Sequence, residues 1–302
     1  MGRGEHRVGI PARSGISSAG RRTRGPRRAG SVAGVSGAPA VRVGTVNAAS
    51  GRSPAGRVLD AAGLEKAVAG LDVDVLAVQE VDAGQPRSHG VDQAAALATG
   101  LGAPDWRAAA TVAGTPDPFR SWSPAGALLR GPHTPADGPL YGIALLSRLP
   151  VLEWSVLDLG TGRARLPVQG VDPRTGRLRW WWFPDEPRAA VAARLGSLTV
   201  VATHLSFAPP TAVRQLLRLR RWIAGMPGPV VLAGDLNLPG ALPGRLLRAT
   251  PLVREPSFPA AGPRVQLDHL LAVGDGLQGR DAAATTLAVG DHRALTVTVT
   301  PA

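Results

Sequence analysis

Six polar clusters in this 302-residue sequence share one setting. Asn47, Gln79-Glu80, Thr203-His204, Asp235-Leu236-Asn237 and Asp268-His269 each end or interrupt an apolar run, and Asp291-His292 lies just before one. Carboxylates, amides and imidazoles are groups that hold cations and transfer protons near neutral pH. At the end of a strand such side chains leave the packed sheet and meet solvent, and ligand sites in mixed α/β folds form there. Inside a core they would be costly, because buried charge is tolerated only when paired or bound to a metal. Singly, each has a plainer reading. Glu80 could be a solvated turn residue, and His204 a hydrogen-bonded structural one. Asp235 and Asn237 also fit a common turn in which both side chains bond their own backbone. Asp291-His292 could simply open the final strand.

The elements that must position these residues are legible in outline. Apolar runs at residues 41–46, 74–78, 142–146, 151–157, 229–233, 265–273 and 294–300 read as strands. Residues 191–195 and 198–203 flank Gly196-Ser197 and predict a hairpin ending on His204. Helical spacing marks residues 57–71, where Val58, Leu59, Ala62, Leu64, Val68 and Leu71 recur, and again 92–101 and 211–223. Residues 114–139 are rich in Pro, Gly and Ser and read as a long surface loop or insertion. Trp180-Trp181-Trp182-Phe183 has two readings. As an exposed loop it would stack bases or enter a membrane interface. As a strand, the reading adopted, alternate rings would pack on the core and the others on neighbouring loops. Strands and helices are thus mixed as in an α/β (α+β) protein, and with no long linker residues 39–302 read as one domain.

Charge is spread unevenly. The formal net charge is +12, but residues 1–38 hold eight arginines against the single acid Glu5, a net of +7 that leaves +5 for the other 264 residues. The basic balance therefore belongs to the tail and says little about what the body binds. Lys66 is the only lysine, so the arginines read as compositional bias rather than adaptation to nucleic acid. Residues 1–38 read as a disordered Arg-rich N-terminal extension, capable of weak polyanion contact. Arg21-Arg22 and Arg27-Arg28 faintly resemble a twin-arginine export signal, but the stretch from Ser31 to Ala40 is too polar and glycine-rich for one, and a cytoplasmic location is expected. No apolar run reaches the roughly 18 residues that a membrane-spanning helix needs. With no cysteine, disulfides, thiolate zinc sites and thiol nucleophiles are excluded together.

At the strand ends the sequence resembles the endonuclease/exonuclease/phosphatase superfamily, with its deoxyribonuclease I-like fold. The matching stretches are Thr45-Val46-Asn47, Leu76-Ala77-Val78-Gln79-Glu80, Tyr141-Gly142-Ile143-Ala144-Leu145-Leu146-Ser147-Arg148, Ala202-Thr203-His204-Leu205, Gly234-Asp235-Leu236-Asn237, Leu267-Asp268-His269 and Gly290-Asp291-His292. Each motif is weak alone; the ordered set covers nearly the whole body. The resemblance implies a four-layer sandwich of two packed mixed β-sheets flanked by helices. It also implies a divalent-metal-dependent phosphoesterase acting on a phosphodiester or phosphomonoester.

Carried over residue by residue, the resemblance makes Glu80 the principal metal carboxylate, with Asn47 and Asp291 at the same site. Hard oxygen donors suit Mg²⁺ or Mn²⁺, which keep several waters and share ligands with substrate phosphate. His292 resembles the general base, oriented by Asp268. His204 and Asn237 would donate hydrogen bonds to phosphoryl oxygens, with Tyr141 a further phosphate-binding candidate, and Asp235 would position the water or leaving group. Arg188 matches a basic position that opens a family strand. The implied partner is a phosphate ester, whether nucleic acid, phospholipid or small phosphoester, bound by a monomer. Thr203-His204 departs from the abasic-site branch, and the body lacks a basic, aromatic-interleaved groove, so a dedicated DNA-repair role is not expected. The alternatives are a nuclease acting on DNA or RNA and a catalytically silent binding module of the same fold.

Overall fold

The computed structural model describes residues 39–117, 121–172 and 175–301. The Arg-rich extension expected at residues 1–38 lies outside the described residues. Within them, the central strands are buried along nearly their whole length, as strands must be when another sheet covers one face and helices the other.

In chain order β1 (Val41–Asn47), β2 (Val75–Ala83), β3 (Asp105–Gly114), β4 (Trp122–Arg130) and β5 (Leu140–Ser147) build most of the first sheet. Strands β6 (Glu153–Gly160), β9 (Arg188–Arg194), β10 (Thr199–His204), β11 (Val230–Asp235), β12 (Ala249–Pro251) and β13 (Asp268–Val273) form the second, with β7 (Arg165–Val171) and β8 (Leu178–Pro184) set apart as a hairpin. The chain then returns to the first sheet through β14 (Leu277–Thr285) and β15 (Ala294–Pro301). The seven-stranded order is β14-β15-β1-β2-β5-β3-β4 and the six-stranded order β12-β13-β11-β10-β9-β6. Both sheets are mixed: β1 runs parallel to β2 but antiparallel to β15, and β10 parallel to β11 but antiparallel to β9.

Alternation along each strand decides what every residue packs against. Val43, Val75, Ala77 and Leu145 meet Val191, Val200, Ala202, Val231 and Leu270 between the sheets. The intervening Leu76, Val78 and Leu146 lie under α1 (Ala61–Val68) and α2 (Gln93–Leu101). Val201, Leu232 and Leu271 lie under α3 (Pro209–Ile223) and α4 (Leu242–Leu247). Four layers result, helix on sheet on sheet on helix. Asp60 and Asp92 start α1 and α2 by accepting from the Gly63 and Ala95 amides at 2.8 and 3.3 Å.

Three sequence expectations need correction. The first helix is shorter than residues 57–71, because the Asp60 cap fixes its start and Val58 is held in an isolated bridge with Arg52. Residues 114–139 are not one long loop: β4 lies inside them. It is the edge strand of its sheet, where Pro124 is tolerated because one side needs no amide donor. The tryptophan run is a strand, β8, but its alternate rings do not all find packing, for Trp180 and Trp182 are each 67% exposed.

Candidate active site

The polar clusters converge at one end of both sheets because of strand register. Asp235 is the lateral partner of His204 across β10 and β11, and of Asp268 across β11 and β13, so the three share one rung. On the first sheet Asn47 pairs with Gln79. There β2 bulges: its pairing with β5 passes from Val78↔Ala144 to Val81↔Gly142, leaving two residues opposite one. An unbroken strand would put Glu80 on the helix-covered face with Leu76 and Val78; the bulge re-aims it into a cavity. The glutamate takes a left-handed backbone, φ +55°, that costs a residue with a Cβ about 1–2 kcal/mol. Gly290, at φ +89°, lets the following loop lie against β1, since a Cβ there would collide with the Asn47 carbonyl.

The cavity, about 470 Å³, is lined by Asn47, Glu80, Tyr141, His204, Asp235, Asn237, Asp291 and His292. Asp268 sits behind His292, fully buried, and accepts from Nδ1 of its imidazole at 2.7 Å. That leaves Nε2 as the free ring nitrogen of His292. The Phe258 ring packs 4.7 Å from the imidazole. The other oxygen of Asp268, Oδ1, has no hydrogen-bond partner among the described residues. Burial alone would lower the His292 pKa. The hydrogen bond and charge of Asp268, aided by Asp235 and Asp291, outweigh burial and push it up to about 9. Burial and the neighbouring Asp268 raise Asp235 to about 7. Because the folded pKa of His292 exceeds its ordinary 6.5, its contribution to stability is complete below 6.5 and is lost as pH rises through about 9. In Asp268→Asn the ring should titrate well below 9, which NMR of the His292 ring protons reads directly. An unmoved midpoint would remove Asp268 as its cause.

His204 is held differently. Nδ1 accepts from the buried Arg188 guanidinium at 2.9 Å, and an arginine has only N–H to offer, so the ring proton sits on Nε2. Burial first, then the charges of Arg188 and His292, hold His204 well below its ordinary pKa, and it stays neutral. Its Nε2–H is 3.6 Å from Asp235 Oδ2, too far for a hydrogen bond, and 3.2 Å from the Asn237 amide nitrogen. With Nε2 protonated neither nitrogen can accept from the other, and Asn237 Nδ2 donates to the Leu205 carbonyl at 3.0 Å. Asn237 is set by its own left-handed backbone, φ +50°, and by its N–H donating to Asp235 Oδ1 at 2.9 Å.

Asn47 turns its amide nitrogen to the cavity, donating to Glu80 Oε1 and Asp235 Oδ2 at 3.1 Å each, while Oδ1 accepts from the Ala49 amide at 3.0 Å. It thereby straps a carboxylate of one sheet to a carboxylate of the other. Asp235, Asp268 and His292 bring three metal-capable atoms within 4.8 Å of one another, but Asp268 and His292 are already committed to each other. Glu80 and the largely exposed Asp291 are the oxygen donors open to the cavity.

Several lining residues escape a reading of strand ends: Arg52, Arg87, Glu186, Phe183, Phe207 and Phe258. Asp82 fixes Arg87 through two bonds of 2.9 and 2.7 Å, and the guanidinium lies 5.2 Å over the Tyr141 ring. Glu186 pairs with Arg188 at 3.3 Å. Its position just before β9 is the same kind of signal as the six clusters; Phe183 closes the aromatic run already singled out, while Phe207 and Phe258, outside the strands, carry none.

The sequence matches the Endonuclease/Exonuclease/phosphatase family over residues 44–292. No curated protein matches the chain. Among solved structures it is similar to an endonuclease/exonuclease/phosphatase from Beutenbergia cavernae DSM 12333, with TM-score 0.57, 21% identity, and 87% of this chain and 72% of that one covered. A mannosyl-6-phosphatase from Bacteroides thetaiotaomicron VPI-5482 aligns with TM-score 0.54 and 12% identity over 86% of this chain and 99% of its own. The human Nocturnin catalytic domain with bound sulfate gives TM-score 0.51 and 18% identity over 87% and 94%.

Proposed function

Since this chain belongs to the endonuclease/exonuclease/phosphatase family, we propose that it is a divalent-metal-dependent phosphoesterase in which His292 activates the attacking water. The observation that carries this reading is the 2.7 Å Asp268–His292 pair facing the same cavity as Glu80 and the two neutral N–H donors. Asp268 fixes the ring so that Nε2 takes the proton from water. His204 Nε2–H and the Asn237 amide hold the phosphoryl oxygens as charge builds on them. Asp235, accepting from Asn47 and from the Asn237 backbone, positions the water or the leaving group. The Tyr141 hydroxyl, kept protonated by burial and by Glu186 and Glu80, is a further donor to the phosphate.

The open donors fit a hard cation. Glu80 and Asp291 are hard oxygen ligands in a chain without thiols, few enough that Mg²⁺ or Mn²⁺ would retain several waters. Such a cation, when bound, neutralises phosphate charge and stabilises the leaving oxygen. Asn47, expected as a ligand at the metal site, has its oxygen engaged by the Ala49 amide and supports the site as the strap on Glu80. Residues 39–302 constitute the catalytic domain, and removal of residues 1–38 should leave hydrolysis intact.

The full chain should hydrolyse a soluble aryl phosphodiester, plasmid DNA or inositol phosphates with Mg²⁺ present, lose the activity to chelator and regain it on re-addition of Mg²⁺. Hydrolysis that survives chelation sinks the metal dependence. No hydrolysis of any of them, or of sphingomyelin, would make the protein a silent binding module.

A further inference from the structure

Between β6 and β9 the chain leaves both large sheets to form the β7–β8 hairpin. Cross-strand partners share a face, so the register puts Pro167, Gln169, Leu178, Trp180 and Trp182 on one side and Leu166, Val168, Trp181 and Phe183 on the other. The second side is the more covered one, although Leu166 is still 43% exposed. Leu166 and Phe183 line the active-site cavity, the Phe183 ring lies 6.1 Å from that of Trp122, and Arg179 stacks 4.7 Å over Trp181. The first side is bare: Leu178 is 61% exposed, and Trp180 and Trp182 are 67% exposed. Arg163, Arg165, Arg177 and Arg179 are exposed along the same hairpin.

We propose that this hairpin is an interfacial docking element that seats the protein on an anionic lipid bilayer, with the active-site mouth toward the headgroups. Three features favour a bilayer over a nucleic acid. Leu178 and Pro167 offer no π-face on which a base could stack, yet both suit the boundary of the acyl chains. Indole rings settle at headgroup level, and the surrounding arginines complement anionic lipid. The bare face is also continuous with the cavity, because the reverse side of the same two strands forms part of its wall. Docking stands on the hairpin alone. Its consequence, that the natural substrate is a phosphate ester presented in a headgroup, rests on the phosphoesterase reading.

The full chain and its Trp180→Ser/Trp182→Ser variant should be compared by co-sedimentation with phosphatidylcholine vesicles containing one part in three phosphatidylglycerol. Quenching of tryptophan emission by brominated acyl chains provides the second readout, and residues 1–38 are the same in both proteins. The variant should bind at least about tenfold more weakly and lose the quenching, while hydrolysis of a soluble phosphodiester is unchanged. Arg165→Glu/Arg177→Glu should weaken binding to the anionic vesicles without altering that hydrolysis. Equal binding and quenching in the parent and the tryptophan variant would overturn the proposal. So would a parent whose Trp180 and Trp182 respond to oligo(dT) but not to vesicles. A parent that hydrolyses neither the soluble phosphodiester nor the vesicle phospholipids would instead overturn the catalytic reading and leave docking standing.

Discussion

His292→Ala is expected to lower the rate of phosphodiester hydrolysis by about 10²- to 10⁴-fold, the range that a positioned acid or base contributes. The geometry makes this specific. Asp268 occupies Nδ1 at 2.7 Å, so only Nε2 can accept a proton from water. A base must be neutral, and without a cation the imidazole holds its proton up to about pH 9. Activity should therefore rise with pH as the imidazolium empties, and a divalent cation held by Glu80 and Asp291 would bring the midpoint below about 9, because like charges disfavour the protonated form. The alanine variant should lose this rise as well as the rate. Asp268→Asn should follow it in direction, since an amide partner no longer favours the required tautomer or its charged form. An alanine variant with the parent's rate and pH profile would remove His292 as the base.

Much of the scaffold beneath this site is written in the sequence, for a physical reason. Strands β1, β2, β10 and β11 are buried on both faces, so they read as apolar runs whose polar ends stand out. Strand β4 has no such signature, because an edge strand with Pro124 and Gly126 has the composition of a loop. Strand β14, exposed along most of its length, is equally silent. The same asymmetry runs through the site. Residue types at strand ends can be listed from the sequence, but their partners are set by register and by loops. Nothing local couples Arg188 to His204, or tells that the Ala49 amide will claim the Asn47 oxygen. The bulge is the clearest case. Its residues, Gln79 and Glu80, close the apolar run of β2 as any polar strand end would, and only the offset against β5 shows that Glu80 has left the helix-facing side.

That offset makes Glu80→Gly the most discriminating substitution at the cation side of the site. Activity should fall at least about 10²-fold, since the change removes the principal carboxylate proposed to hold the metal. Stability should not fall with it. A left-handed backbone costs a glutamate about 1–2 kcal/mol and a glycine none, while the extra freedom of an unfolded glycine returns about 0.5–1 kcal/mol of that gain. Asn47 loses one acceptor but keeps Asp235, and Glu186 loses a like charge that raises its pKa. Glu80→Ala removes the same carboxylate and keeps the strain at φ +55°. The glycine variant should therefore melt about 2–4 °C above the alanine variant, the shift that about 1 kcal/mol produces in a chain of this size. Both should be equally inactive and equally poor at binding Mn²⁺ by calorimetry. If glycine melted below alanine, the bulge would not be strained; if either variant kept the parent's activity, Glu80 would not hold the cation. Equal inactivity with the higher melting temperature in glycine is what a carboxylate bought with backbone strain predicts.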